Sequence, residues 1–113
     1  MKEIKAIIRT FKLQAVLDEL HAHPELPGVT ISYVQGFGRS VGRDEKPSAD
    51  IVQFDTVNLA KIECVVNDKM LDEIIDVIKK TAHTGQPGDG KITTYEVSEM
   101  VKIRTGQRSD TVI

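Results

Sequence analysis

Apolar and polar positions alternate from the start of the chain, with Ile4, Ala6 and Ile8 on one face of residues 3 to 9, which predicts a strand. Thr10 then stands where a helix N-cap is expected. Leu13, Val16, Leu17 and Leu20 recur at i, i+3, i+4 and i+7, the stripe of an amphipathic helix. His23-Pro24 ends it, because the residue before a proline disfavours the α region. A second strand runs from about Val29 to Phe37, with Val29, Ile31, Tyr33 and Phe37 on a shared face. The pattern then dissolves from Gly38 to about Phe54, a stretch longer than compact domains hold without a function. Lying between two strands expected to pair, it reads as an extended hairpin loop, residues 38 to 56, free to reorganise around a ligand or to reach a partner. Alternation resumes from Val57 to Val66. Asn67 or Asp68 is expected to cap the helix that Leu71, Ile74, Ile75 and Ile78 define. Asp72 and Glu73 lie in its first turn and Lys79, Lys80 and His83 in its last, charged in the sense the helix dipole favours. A glycine-rich connection, a strand over Ile92 to Val97 and a tail complete the chain.

This order predicts an α+β fold, the ferredoxin-like βαββαβ sandwich, with two helices over one face of a four-stranded antiparallel sheet. The opposite face would also carry Ile and Val, so self-association is expected to cover it. With 113 residues, a single domain over 1–113 is expected. A net charge of -2 lacks the basic excess of a nucleic-acid binder. No apolar run approaches the roughly 18 to 20 residues of a spanning helix, and the expected location is cytoplasmic. Cys64 shares a face with Ile62 and Val66 and reads as a buried small hydrophobe.

Between Gly85 and Lys91 the sequence Gly-Gln-Pro-Gly-Asp-Gly-Lys satisfies the first seven positions of a P-loop, but Ile92 stands where a Ser or Thr would meet magnesium. A strand follows instead of a helix. What survives is anion binding without hydrolysis: glycines that let backbone N–H groups converge, and one lysine. The same glycines suit an ordinary helix-to-strand turn. Gly36-Phe37-Gly38-Arg39 adds two more glycines and an arginine suited to bidentate phosphate contact. In Val101-Lys102-Ile103-Arg104 the alternation would project Lys102 and Arg104 from one side of an extended segment, about 7 Å apart, unless they form only a solvated edge. His21 and His23 diverge by about 200° if both are helical and then make no metal pair. No carboxylate pair or histidine-activated nucleophile emerges, so an enzyme is not expected.

Thr84-Gly85-Gln86-Pro87-Gly88-Asp89-Gly90-Lys91-Ile92 resembles the signature of the PII signal-transduction family, as do Gly36-Phe37-Gly38-Arg39-Ser40-Val41-Gly42 and Ile103-Arg104-Thr105-Gly106. The resemblance spans nearly the whole chain, with one extra residue around His23 to Leu26. It implies a homotrimer that binds ATP or ADP in clefts between subunits, without catalysis of its own. Matched residue by residue, Ile8, Thr30, Gly36, Phe37 and Val65 would hold the adenine and ribose. Gly38, Arg39, Gly88, Asp89, Gly90 and Lys91 would meet the phosphates, with Lys102 and Arg104 reaching in from a neighbouring subunit. The chain departs from the family pattern at Ser40, where a glutamine helps hold magnesium and 2-oxoglutarate, and at Leu59, where a lysine meets the 2-oxoglutarate carboxylate. Magnesium use is thereby left open. Lys102 replaces an arginine, Val52 the tyrosine that is uridylylated in bacteria, and Asp50 a serine phosphorylated in some relatives. These changes resemble an outlying branch associated with heavy-metal efflux, implying a membrane-transporter partner. The alternative is a CutA-like divalent-metal-binding or metal-tolerance protein of the same trimeric architecture.

Overall fold

The computed structural model describes residues 1–37 and 56–113. Most of the loop expected at 38 to 56, including Gly38, Arg39, Ser40, Asp50 and Val52, lies outside the described residues. The elements follow the expected order: β1 (Lys2–Arg9), α1 (Leu13–His21), β2 (Thr30–Gly36), β3 (Val57–Val66), α2 (Leu71–Ala82) and β4 (Gly90–Glu96), then a small hairpin of β5 (Met100–Val101) and β6 (Arg108–Ser109). The sheet runs β2-β3-β1-β4, with every neighbouring pair antiparallel. This is the predicted α+β ferredoxin-like arrangement.

Register explains which side of the sheet is buried. Ile4 pairs with Cys64, Ala6 with Ile62 and Ile8 with Ala60, so the apolar members of the two central strands share one face. Val16 and Leu20 of α1 and Ile74 and Ile78 of α2 close over them, and all are buried. Each such large aliphatic side chain contributes about 1.5 to 3 kcal/mol on leaving water. Cys64 belongs to this layer, 4% exposed, and burial pushes its thiol pKa up to about 11. On the edge strand β2, Ile31 and Tyr33 pair with Ile62 and Ala60 and so share that face, yet they remain exposed.

The opposite face is less apolar than the sequence pattern led us to expect. Along its middle, Lys5 donates to the Tyr95 hydroxyl at 3.2 Å and Lys61 pairs with Glu63 at 3.5 Å. Apolar side chains gather at one end, around Ile7 and Leu59.

Both expected helix caps are replaced. Thr10 opens a short 3-10 turn, Thr10–Lys12, and the cap position falls to Arg9, which makes no side-chain cap bond. The chain tightens directly out of β1 and leaves Thr10 no amide to cap. Before α2 a second 3-10 turn, Asp68–Met70, intervenes, and Asn67 at its cap position makes no side-chain cap bond either. Asp68 instead receives the Met1 ammonium at 2.8 Å, which holds its carboxyl below the usual range. Asn67 Oδ1 accepts the Val112 amide at 3.4 Å. The Met1 ammonium is a stronger donor than a helix amide, and the Asp68 carboxylate accepts from it in place of a cap.

The tail also departs from expectation. Lys102, Ile103 and Arg104 do not continue an extended segment. The Gly106 amide donates to the Lys102 carbonyl at 2.7 Å and the Lys102 amide to the Gln107 carbonyl at 2.8 Å, closing a turn between β5 and β6. Gly106, at φ +74°, supplies the left-handed residue this reversal needs.

Candidate functional site

The chain places its chemistry where one end of the sheet meets the connection from α2 to β4. The C-terminal ends of β1 and β2 and the N-terminal ends of β3 and β4 converge there, because all pairings are antiparallel. They frame an open groove of about 740 Å³ between Ile7 and Arg9 on β1, Gly36 and Phe37 leaving β2, Leu59 on β3 and the glycine loop. Gly36 leaves room for Leu59. A β-carbon at position 36 would stand 2.7 Å from Leu59 Cδ1.

The glycine loop is held by its own acidic residue. Asp89 Oδ2 accepts the backbone amides of Thr84 and Gly85, each at 2.9 Å. Asp89 Oδ1 accepts the Thr84 hydroxyl and Arg9 Nε, the latter at 3.0 Å. A carboxylate has about four lone-pair positions, and four donors fill them. The Thr84 hydroxyl and amide, with Arg9 and the Gly85 amide, hold the Asp89 carboxyl far below the usual carboxylate range. Arg9 also donates through Nη2 to the Pro87 carbonyl at 2.6 Å. The loop is thus fixed at its start and its middle. Its end is fixed by contact: a β-carbon at Gly90, φ +105°, would lie 1.8 Å from the Ile7 carbonyl oxygen, so only glycine fits.

The Gly88 amide has no hydrogen-bond partner among the described residues, while Pro87 and Gly88 form the turn that carries the chain into Asp89. Gly88 at φ +96° turns the backbone there. Lys91 borders the groove on the facing strand and forms no ion pair among the described residues. A free amide, a lysine and a neutralised aspartate can accept an anion.

The residues singled out from sequence fall into separate groups. Gly36, Phe37, Gly88, Asp89, Gly90 and Lys91 meet at the groove. Ile8 does not: it is 2% exposed and points among the helices, because alternation turns Ile7 toward the groove instead. Thr30 and Val65 lie at the other end of the sheet, with Glu3, Gly28 and Glu63 around a shallow depression. Six residue steps of strand separate Thr30 from Gly36, roughly 20 Å. Lys102 and Arg104 sit exposed on the β5–β6 turn, outside both groups. Arg9 was not among the expected site residues, and its only sequence signal is its place at the end of β1, on the face that alternation shares with Ile7.

Of the histidines, His21 ends α1, and His23, beyond the helix, holds Nδ1 3.4 Å from a Glu73 carboxylate oxygen. His83 follows α2 in extended conformation. Among the described residues no group of three or more His, Cys, Asp or Glu side chains could hold a metal ion, and no helix is long and apolar enough to cross a membrane.

Comparison with known proteins bears on these features together. The family model described as nitrogen regulatory protein P-II matches residues 1–107. The chain is 42% identical to the nitrogen regulatory protein P-II of Klebsiella oxytoca over 113 residues, covering all of both chains. It is equally similar to nitrogen regulatory protein P-II 1 of Escherichia coli K12, and 40% identical to the Pasteurella multocida P-II protein, again over full length. The fold, the glycine loop and the full-length match agree, and this chain belongs to the nitrogen regulatory protein P-II family.

Proposed function

We propose that this protein is a signal-transduction regulator that binds ATP or ADP at sites completed between copies of a homotrimer, and that it controls a membrane transporter through residues 38 to 56. The observation that carries the reading is the division of the site. The groove supplies loop amides, Lys91 and an apolar wall at Ile7 and Phe37, which suit the phosphates and one side of a base. Thr30 and Val65 stand roughly 20 Å away along the strands, and Lys102 and Arg104 extend on a turn of their own. A second copy that sets its Thr30 end and its cationic turn against the groove brings all of them to one ligand. Arg39 and Gly38 would join from the segment that follows Phe37. Binding is then linked to assembly.

The regulator has no chemistry of its own. Asp89 is saturated by donors, His23 faces Glu73, and the Cys64 thiol is buried. Leu59 offers no charge to a 2-oxoglutarate carboxylate, so that effector is bound about ten- to hundredfold more weakly than by a site with lysine there.

Calorimetric titration of the purified protein with ATP, ADP and AMP, with and without magnesium, tests the ligand. Sedimentation in the same buffers tests assembly. The reading requires saturable binding of an adenine nucleotide at millimolar concentration or below by a trimeric species. A monomer, or a trimer that binds none of the three, overturns it. Affinity capture from detergent-solubilised membranes with ATP against ADP then tests the transporter arm, which requires retention that differs between the nucleotides.

A further inference from the structure

We infer that Arg9 is the positioning residue of the anion-binding loop: from the end of β1 it orders the loop before any ligand arrives, and contributes to affinity through that order. Arg9 is the only side chain outside the 84–91 segment that hydrogen-bonds to it among the described residues, and it does so twice, to Asp89 Oδ1 at 3.0 Å and to the Pro87 carbonyl at 2.6 Å. Its planar fork suits two acceptors set apart in this way, whereas an ammonium is a single point of charge. The arginine also cancels the charge of Asp89, an anion that would otherwise stand beside an incoming anion. With Asp89 fixed, the Thr84 and Gly85 amides are committed to its carboxylate and the Gly88 amide keeps no partner among the described residues. A loop ordered in advance loses less conformational freedom on binding.

The inference rests on the nucleotide reading for its affinity arm alone. Hydrogen exchange of the ligand-free protein reads the loop directly. Arg9→Gln is expected to speed exchange at the Thr84 and Gly85 amides by about tenfold, and to weaken ATP binding by about tenfold, with assembly and melting temperature unchanged. Arg9→Lys should restore part of both. In an Asp89→Asn background, Arg9→Gln should add less than it does in the native protein, because the carboxylate is gone and only the bond to the Pro87 carbonyl remains to be lost. Unchanged exchange in the free Arg9→Gln protein overturns the inference, and if ATP affinity falls at the same time, Arg9 touches the ligand itself. Faster exchange with unaltered affinity overturns the link between loop order and binding. Should the native protein bind no nucleotide, faster exchange still supports the clamp and the loss falls on the proposed function.

Discussion

The loop from Thr84 to Lys91 and the turn between β5 and β6 are both short, glycine-containing and rich in polar groups, yet they satisfy those groups in opposite ways. In the loop, Asp89 accepts four donors, Arg9 reaches two acceptors, and Gly90 packs against the Ile7 carbonyl. In the turn, backbone bonds close the reversal, while Ile103 is 98% exposed between two cations that form no ion pair among the described residues. A solvated Ile with flanking charges gains nothing from its own chain. The loop is held by its own chain, and the side chains of the turn stand in solvent; the proposed function gives them a use. Under that proposal the turn's cations meet a nucleotide phosphate held against a second copy.

The most damaging test of this contrast falls on the loop. Gly90→Ala forces a β-carbon into the Ile7 carbonyl and an alanine to a positive φ, so it should cost about 3 kcal/mol in urea unfolding. A loss well under 1 kcal/mol would mean that the loop is not fixed against β1. Lys102→Ala with Arg104→Ala tests the turn. The pair should weaken ATP binding by about a hundredfold while leaving unfolding within about 0.5 kcal/mol of the native protein, since neither cation has a partner to lose among the described residues. Matching losses in stability and affinity would erase the distinction between the two regions.

Asp89→Asn keeps the size of the side chain but removes the charge and sets an NH2 group against two of the four donors, and should weaken ATP binding by about tenfold, with faster exchange confined to the loop. The smallest effect is that of pH. Because the folded Asp89 pKa is depressed, its contribution is present above the ordinary carboxylate value of about 3.9 and is lost only as pH falls through the folded value. Loop protection at Thr84 and Gly85, corrected for intrinsic exchange, should therefore stay level between pH 7 and about pH 4.5. A decline over that window would show that the carboxylate is not held as the hydrogen bonds imply.

Periodicity carried the architecture a long way. Ile4, Ala6 and Ile8 declared β1, and the heptad-like spacing of α1 and α2 declared which sides face the core, since burial of a whole face leaves a mark on every second or third residue. The glycine run likewise announced its own conformation, because positive φ restricts residue type. Exchange of one polar partner for another left no such mark. Asp68 could cap a helix or take an ammonium, and only the folded position of Met1 decides between them. Ile7 and Ile8 are the same residue type on opposite faces, and only the sheet shows that it is Ile7 that borders the groove. Arg9 and Asp89 are 80 residues apart in sequence, and nothing local joins them.

Cys64 gives the molecule a built-in chemical clock. It is the only cysteine in the sequence, it is buried in the layer between sheet and helices, and its thiol ionises only near pH 11. At neutral pH the thiolate fraction is on the order of one in ten thousand, and a disulfide reagent must wait for the central strands and helices to part. The rate of its modification would then time the opening of that layer. A single cysteine placed on the β5–β6 turn could be labelled in seconds against that slow background, with the native one left where it is.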